Sequence, residues 1–140
     1  MATQTQREFM VVNSMALPLW LALIFFPRSS MTRKMMSVLP PLQIAMGAAY
    51  TGLLVRAALQ PGLPDALFDG EGWRTMLATP QGFIAGWTHF VVFDLFVGRW
   101  IWETALAEDR GCRVALTFAL LAGPLGLMIF NLQRRMSPRR

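Results

Sequence analysis

The sequence predicts an all-α integral membrane protein, with four transmembrane helices in one bundle and the fourth broken at Gly123-Pro124. Two observations carry this. Of the 140 residues 54% are hydrophobic and only 15% are charged, which leaves too little polar surface for a water-soluble domain. The charges also cluster between apolar runs, so that arginines flank segments long enough to cross a bilayer. In a soluble protein a net charge of +5 would suggest nucleic acid. Here the arginines sit at segment ends, where they anchor helices and meet anionic headgroups. No aromatic and basic residues interleave on a polar surface, so no nucleic-acid partner is expected. With a single cysteine, Cys112, the chain cannot form an internal disulfide.

The first segment covers about 9–26. One arginine and one glutamate precede it and no small-x-small cleavage site follows, so a retained helix is expected rather than a cleaved signal peptide. Pro18 should kink it; Asn13 and Ser14 suit helix packing. Arg28, Arg33 and Lys34 then mark a short basic loop. The second segment covers about 37–59. Pro40 and Pro41 suit its first turn, where their missing N–H groups are not needed, and Gly47, Ala48, Ala49 and Gly52 permit close helix approach. Gln43, Tyr50 and Thr51 are expected to bond across helices. Arg56 snorkels to the interface or serves as counter-ion to Asp94.

Residues 60–81 break the apolar pattern with three prolines and three acidic groups and are expected to form a loop. Phe68, Trp73, Met76 and Leu77 would rest it in the bilayer interface. The third segment covers about 82–106 and ends in the polar turn AEDRGCR. The fourth covers about 114–132, where Gly123, Pro124 and Gly126 break it. A carbonyl is stranded near Leu120, which points the break at the third helix or at a ligand. With four crossings, the N-terminus, the long loop and the basic tail QRRMSPRR share one side. The tail's arginines put that side, and so both termini, in the cytoplasm.

The third segment concentrates the chemistry. Its apolar run holds the chain's one histidine together with Asp94, Arg99 and Glu103, groups that are costly in lipid unless something holds them. At ~100° per residue, Ala85, His89, Phe93, Phe96, Trp100 and Glu103 form one stripe. Trp87, Asp94 and Gly98 lie nearly opposite, with Arg99 on the flank. Steps of five residues separate His89 from Asp94 and Asp94 from Arg99 by ~140° and ~7.5 Å, so Asp94 should bond to another helix, which Gly98 lets approach. His89 suits general acid or base work. Asp94 is a fixed counter-charge if Arg99 or Arg56 pairs with it, and a proton donor if neither does. Phe93, Phe96 and Trp100 pack, face lipid or line a groove for a long apolar ligand. No metal is expected, because His89, Asp94 and Glu103 face apart. Axial haem ligation by His89 is an alternative, but no cofactor is expected.

The stretch WTHFVVFDLFVGRW at 87–100, with GPLG at 123–126, resembles the small membrane proteins related to plant neoxanthin synthase, the abscisic-acid-deficient type. Its specific part is W-x-H followed by D-L-F-x-x-R, matched at Trp87, His89, Asp94, Leu95, Phe96 and Arg99. The G-R-W continuation and the Gly-Pro-Leu-Gly break look like the bacterial branch. Without the plastid-targeting extension of the plant proteins, the chain is expected in a bacterial inner membrane. The resemblance implies carotenoid chemistry, in which an epoxide opens and a proton is lost. His89 would then act as base, Asp94 as acid or counter-ion and Arg99 as oxyanion stabiliser. Trp87, Phe93, Phe96, Gly98 and Trp100 would hold the ligand, with Arg56 and Glu103 as structural counter-ions. Three readings stand: an isomerase or binder of a carotenoid or other isoprenoid, a non-catalytic scaffold or assembly subunit, and a small transporter or channel. Membrane lipid, an isoprenoid ligand, and a second copy or another membrane protein are the partners these readings allow.

Overall fold

The computed structural model describes residues 3–59 and 69–136, without the side chains of 56–58. Among the described residues all regular structure is α-helical. Helix α1 is Gln4–Phe25, α2 Ser30–Ser37, α3 Leu39–Ala58, α4 Gly70–Ala78, α5 Pro80–Ala107, α6 Arg113–Leu121 and α7 Gly123–Met136. The chain divides into two compact units, Met1–Asn13 with Pro41–Val92, and Ser14–Pro40 with Phe93–Arg140. Both α1 and α5 run through the division.

Two segments, Gln4–Phe25 and Ser30–Val55, are long and apolar enough to cross a bilayer. Helix α1 continues through Pro18, and Asn13 bonds back to the Phe9 carbonyl (2.7 Å). The second predicted segment begins one helix earlier than expected. Ser29 caps α2 by accepting from the Met31 N–H, and buried Thr32 donates to the Phe26 carbonyl (2.6 Å), tying α2 back to the end of α1.

Two expectations need correction. The predicted loop at 60–81 contains helix α4, because Asp69 accepts from the backbone N–H groups of Glu71 and Gly72 and so satisfies donors that would otherwise end the chain's regularity. Residues 60–68, including Phe68, lie outside the described residues. Trp73 and Leu77 of α4 are exposed, and the turn into α5 is tight: a Cβ at Gly82 would lie 2.0 Å from the Met76 carbonyl oxygen.

The second correction concerns the fourth segment, which does not form one crossing helix. Helix α6 has nine residues and ends at Ala122 (φ −159°, ψ 83°), and α7 returns antiparallel against it. A Cβ at Gly126 would lie 2.3 Å from the Ala119 nitrogen and 2.5 Å from the Ala115 carbonyl oxygen, so the two backbones touch. Further along, Arg110 donates to the Gln133 carbonyl (3.1 Å). Proline is therefore not stranded in a helix middle. Pro124 occupies the first turn of α7, where no N–H is required of it, while the Leu125 N–H bonds to the Ala122 carbonyl (2.8 Å).

Helix α5 ends in a Schellman motif. Asp109 takes the left-handed conformation (φ 48°), the Arg110 N–H reaches the Ala105 carbonyl (2.8 Å) and the Asp109 N–H reaches the Leu106 carbonyl (3.2 Å), satisfying the last carbonyls of the helix.

Candidate functional site

In the first unit, α5 carries Trp87 and His89. Trp87 belongs to an aromatic cluster, its ring 5.0 Å from Phe9 and 6.3 Å from Phe83. Its indole Nε1 is buried with no hydrogen-bond partner among the described residues. His89 is exposed, with its ring 5.7 Å from Tyr50 of α3 and 6.2 Å from Phe90. Gln43 bonds across helices to the Val92 carbonyl (3.4 Å), as expected of it. Thr51 instead bonds within α3, to Gly47 (2.9 Å).

In the second unit, Asp94 is half-buried and faces the turn between α6 and α7. A Cβ at Gly123 would lie 1.9 Å from Asp94 Oδ1, so any larger residue there would have to turn the carboxylate aside. No side chain pairs with Asp94 among the described residues. The N-terminus of α7, where the helix dipole is positive, lies beside it. One turn on, Gly98 admits α1: a Cβ there would lie 2.6 Å from the Trp20 ring. Trp102 donates to the Pro27 carbonyl (2.6 Å), extending the α1–α5 contact to the end of both helices.

Arg99 is taken by Glu103, one turn along α5 (2.7 Å), rather than by Asp94. Helical spacing favours an i, i+4 pair over the five-residue step to Asp94. The side chain of Arg56, the other candidate counter-ion, lies outside the described residues. The Trp100 ring meets Phe130 of α7 edge-on at 5.6 Å and carries the Arg134 guanidinium over it at 5.9 Å.

His89, Asp94 and Arg99 thus have separate neighbours: Tyr50, Gly123 and Glu103. The outer stripe differs from all three. Phe90, Phe93 and Phe96 are 62%, 57% and 59% exposed, a run of rings on α5 with its apolar surface uncovered. Among the described residues no group of three or more His, Cys, Asp or Glu side chains is placed to hold a metal.

Sequence reasoning missed the charged cluster where α5 and α7 end together. Arg134 donates to Glu108 through both Nε (3.0 Å) and Nη2 (2.7 Å), and Arg110 Nε lies 2.8 Å from the same carboxylate. The Arg134 hydrogen bond, with Arg110 adding its charge, holds the Glu108 carboxyl below the usual carboxylate range. Nearby, burial pushes the Cys112 thiol up, against the pull of Arg28 and Arg113. The available signal was the opposite charges of GluAsp at 108–109 and ArgArg at 134–135, but pairing them required knowing that the chain turns back at Ala122.

A family model described as ABA4-like, ABA DEFICIENT 4-like, matches residues 8–130, which include His89, Asp94, Arg99 and Glu103. The curated Arabidopsis thaliana protein ABA DEFICIENT 4, chloroplastic, is 24% identical over 127 residues. That match covers 86% of this chain but 57% of the relative, so the chain spans little more than half the length of the curated protein it resembles. No solved structure matches. With most of its length accounted for by that one model, the chain belongs to the ABA DEFICIENT 4-like family.

Proposed function

We propose that this protein is an integral membrane protein that binds a carotenoid or another long apolar isoprenoid along the outer face of α5, and that His89 performs acid–base isomerisation on it. The observation that carries the reading is the uncovered run Phe90, Phe93 and Phe96, which continues the line of exposed His89. Rings of this kind offer an extended apolar ligand large contact area with little loss of side-chain freedom. Family membership supports the same chemistry. The ring of Tyr50 lies 5.7 Å from the imidazole, and its phenol would serve as a second proton carrier.

The scaffold reading is favoured for two of the three charged residues. Asp94 lies against Gly123 at the α5–α7 contact and Arg99 pairs with Glu103 within α5, so both are assigned structural roles rather than a place at the ligand.

The test is purification in mild detergent, followed by a visible absorption spectrum and mass spectrometry of the extract. A stoichiometric isoprenoid that is lost in a Phe93→Ala, Phe96→Ala variant of normal yield supports binding. His89→Ala should keep the ligand and lose its conversion. An empty protein arriving with partner chains would overturn the reading in favour of assembly.

A further inference from the structure

A cavity of about 570 Å³ lies in the second unit where α1 ends, α5 ends and α6 begins. Its walls are of two kinds. Phe25, Phe26, Pro27, Leu106 and Val114 supply apolar surface, and three guanidinium groups, those of Arg28, Arg110 and Arg113, line the rest. Neither carboxylate of the neighbouring turn is part of the lining.

The charge here is unbalanced. Arg28 pairs with Asp109 (2.6 Å), while Arg110 and Arg134 share Glu108. Arg113 donates only to the Phe25 carbonyl, at 3.3 Å, and meets no carboxylate among the described residues. Among the described residues, four arginines therefore face two acids here. Arg110 is the best placed to act strongly, since its side chain is 16% exposed and a charge removed from water is screened little.

One further group at the cavity lacks a partner. Cys112 precedes α6 without a side-chain cap bond, so the first N–H groups of that helix have no capping side chain. Guanidiniums and a helix N-terminus beside apolar walls suit an anion with an apolar body.

We propose that this cavity is a phosphate-binding site, held chiefly by Arg113 and Arg110. Its volume falls within the ordinary range of small-ligand sites. The phosphate belongs to an anionic phospholipid headgroup or to a soluble phosphate compound, and the apolar walls beside the arginines suit the glycerol and first acyl carbons of the former. Nothing in the proposal depends on the isoprenoid face of α5, and its test reads phosphate rather than pigment.

The experiment uses the full chain in mild detergent, titrated separately with phosphatidylglycerol, phosphatidylcholine and inorganic phosphate. Two signals are followed: the melting temperature and the alkylation rate of Cys112, the one cysteine, which lines the cavity. Phosphatidylglycerol should raise the first and slow the second about tenfold near saturation, with phosphatidylcholine doing neither. Arg113→Gln should raise the phosphatidylglycerol concentration needed by about tenfold, the loss of one charge-assisted contact, and Arg113→Lys by less. Protection by inorganic phosphate at equal or lower concentration supports the site and assigns it to a soluble compound. Equal effects of the two lipids, or no protection of Cys112 in the wild-type chain by either phosphatidylglycerol or inorganic phosphate, would overturn the proposal. The alkylation arm needs no variant, so it decides the matter even if Arg113→Gln fails to fold.

Discussion

Two apolar runs of this protein carry a proline near the middle, and only one of them stays a single helix. Around Pro18 the chain loses one backbone bond and continues as α1 from Gln4 to Phe25. Around Pro124 it reverses. The difference lies in the neighbours. Beyond Pro18 come Leu19, Trp20, Ala22, Leu23 and Ile24, all buried, and their packing holds the helix straight enough to absorb the defect. Near Pro124 stands Gly126, and facing it are Ala115 and Ala119. Small residues on both sides let the chain pack against itself, so the energy of contact favours folding back. A proline in an apolar run removes a bond, and the residues around it decide whether a helix bends or returns.

The comparison breaks most severely at Gly126. A leucine there would drive its Cβ into the backbone of Ala115 and Ala119, which neither atom can avoid by a rotamer change. Gly126→Leu should cost roughly 3 kcal/mol or more, at the upper end of overpacking effects, seen as lost yield or a large fall in melting temperature in detergent. A variant with unchanged melting would show that α6 and α7 are not in contact.

A smaller effect is expected at Gly123, whose added methyl meets a side chain rather than backbone. Gly123→Ala should cost about 1–3 kcal/mol as Asp94 is displaced. Because the obstacle is the carboxylate, combining it with Asp94→Ser should recover at least about 1 kcal/mol relative to the sum of the single changes, the size of coupling found between touching residues. Strict additivity in thermal unfolding would mean that Asp94 and Gly123 do not meet.

Pro18→Ala should do least. It restores one helical N–H, adding under about 1 kcal/mol, and circular dichroism should show no new helix beyond one turn. A large gain in helicity would mean that Pro18 already interrupts α1 in the way that Ala122 interrupts the last segment.

Much of the helical layout was legible in the sequence, because apolar runs punctuated by arginine and proline announce themselves. The division of α5 into faces was legible too. Asp94 and Gly98 do look toward other helices, at Gly123 and Trp20, and the Phe93–Phe96 stripe looks away. The break before Pro124 was visible, but the reversal was not, since a kink and a hairpin begin with the same residues. What separates them is contact between residues far apart in the chain, Glu108 with Arg134 and Arg110 with Gln133. The small residues Ala115, Ala119 and Gly126 were the local sign of it. Helix α4 was hidden for another reason. Gly70 and Gly72 oppose a helix by propensity, and the cap from Asp69 outweighs them. The acid–base set was read by residue type, whereas Arg99 found Glu103 by spacing alone.

The reversal also bears on how such a chain enters a membrane during synthesis. At nine and fourteen residues, α6 and α7 measure ~14 and ~21 Å, each short of the ~30 Å hydrocarbon thickness. Neither qualifies as a stop-transfer or insertion signal of its own. The pair is instead expected to dock as one hairpin against α5, where Gly123 meets Asp94.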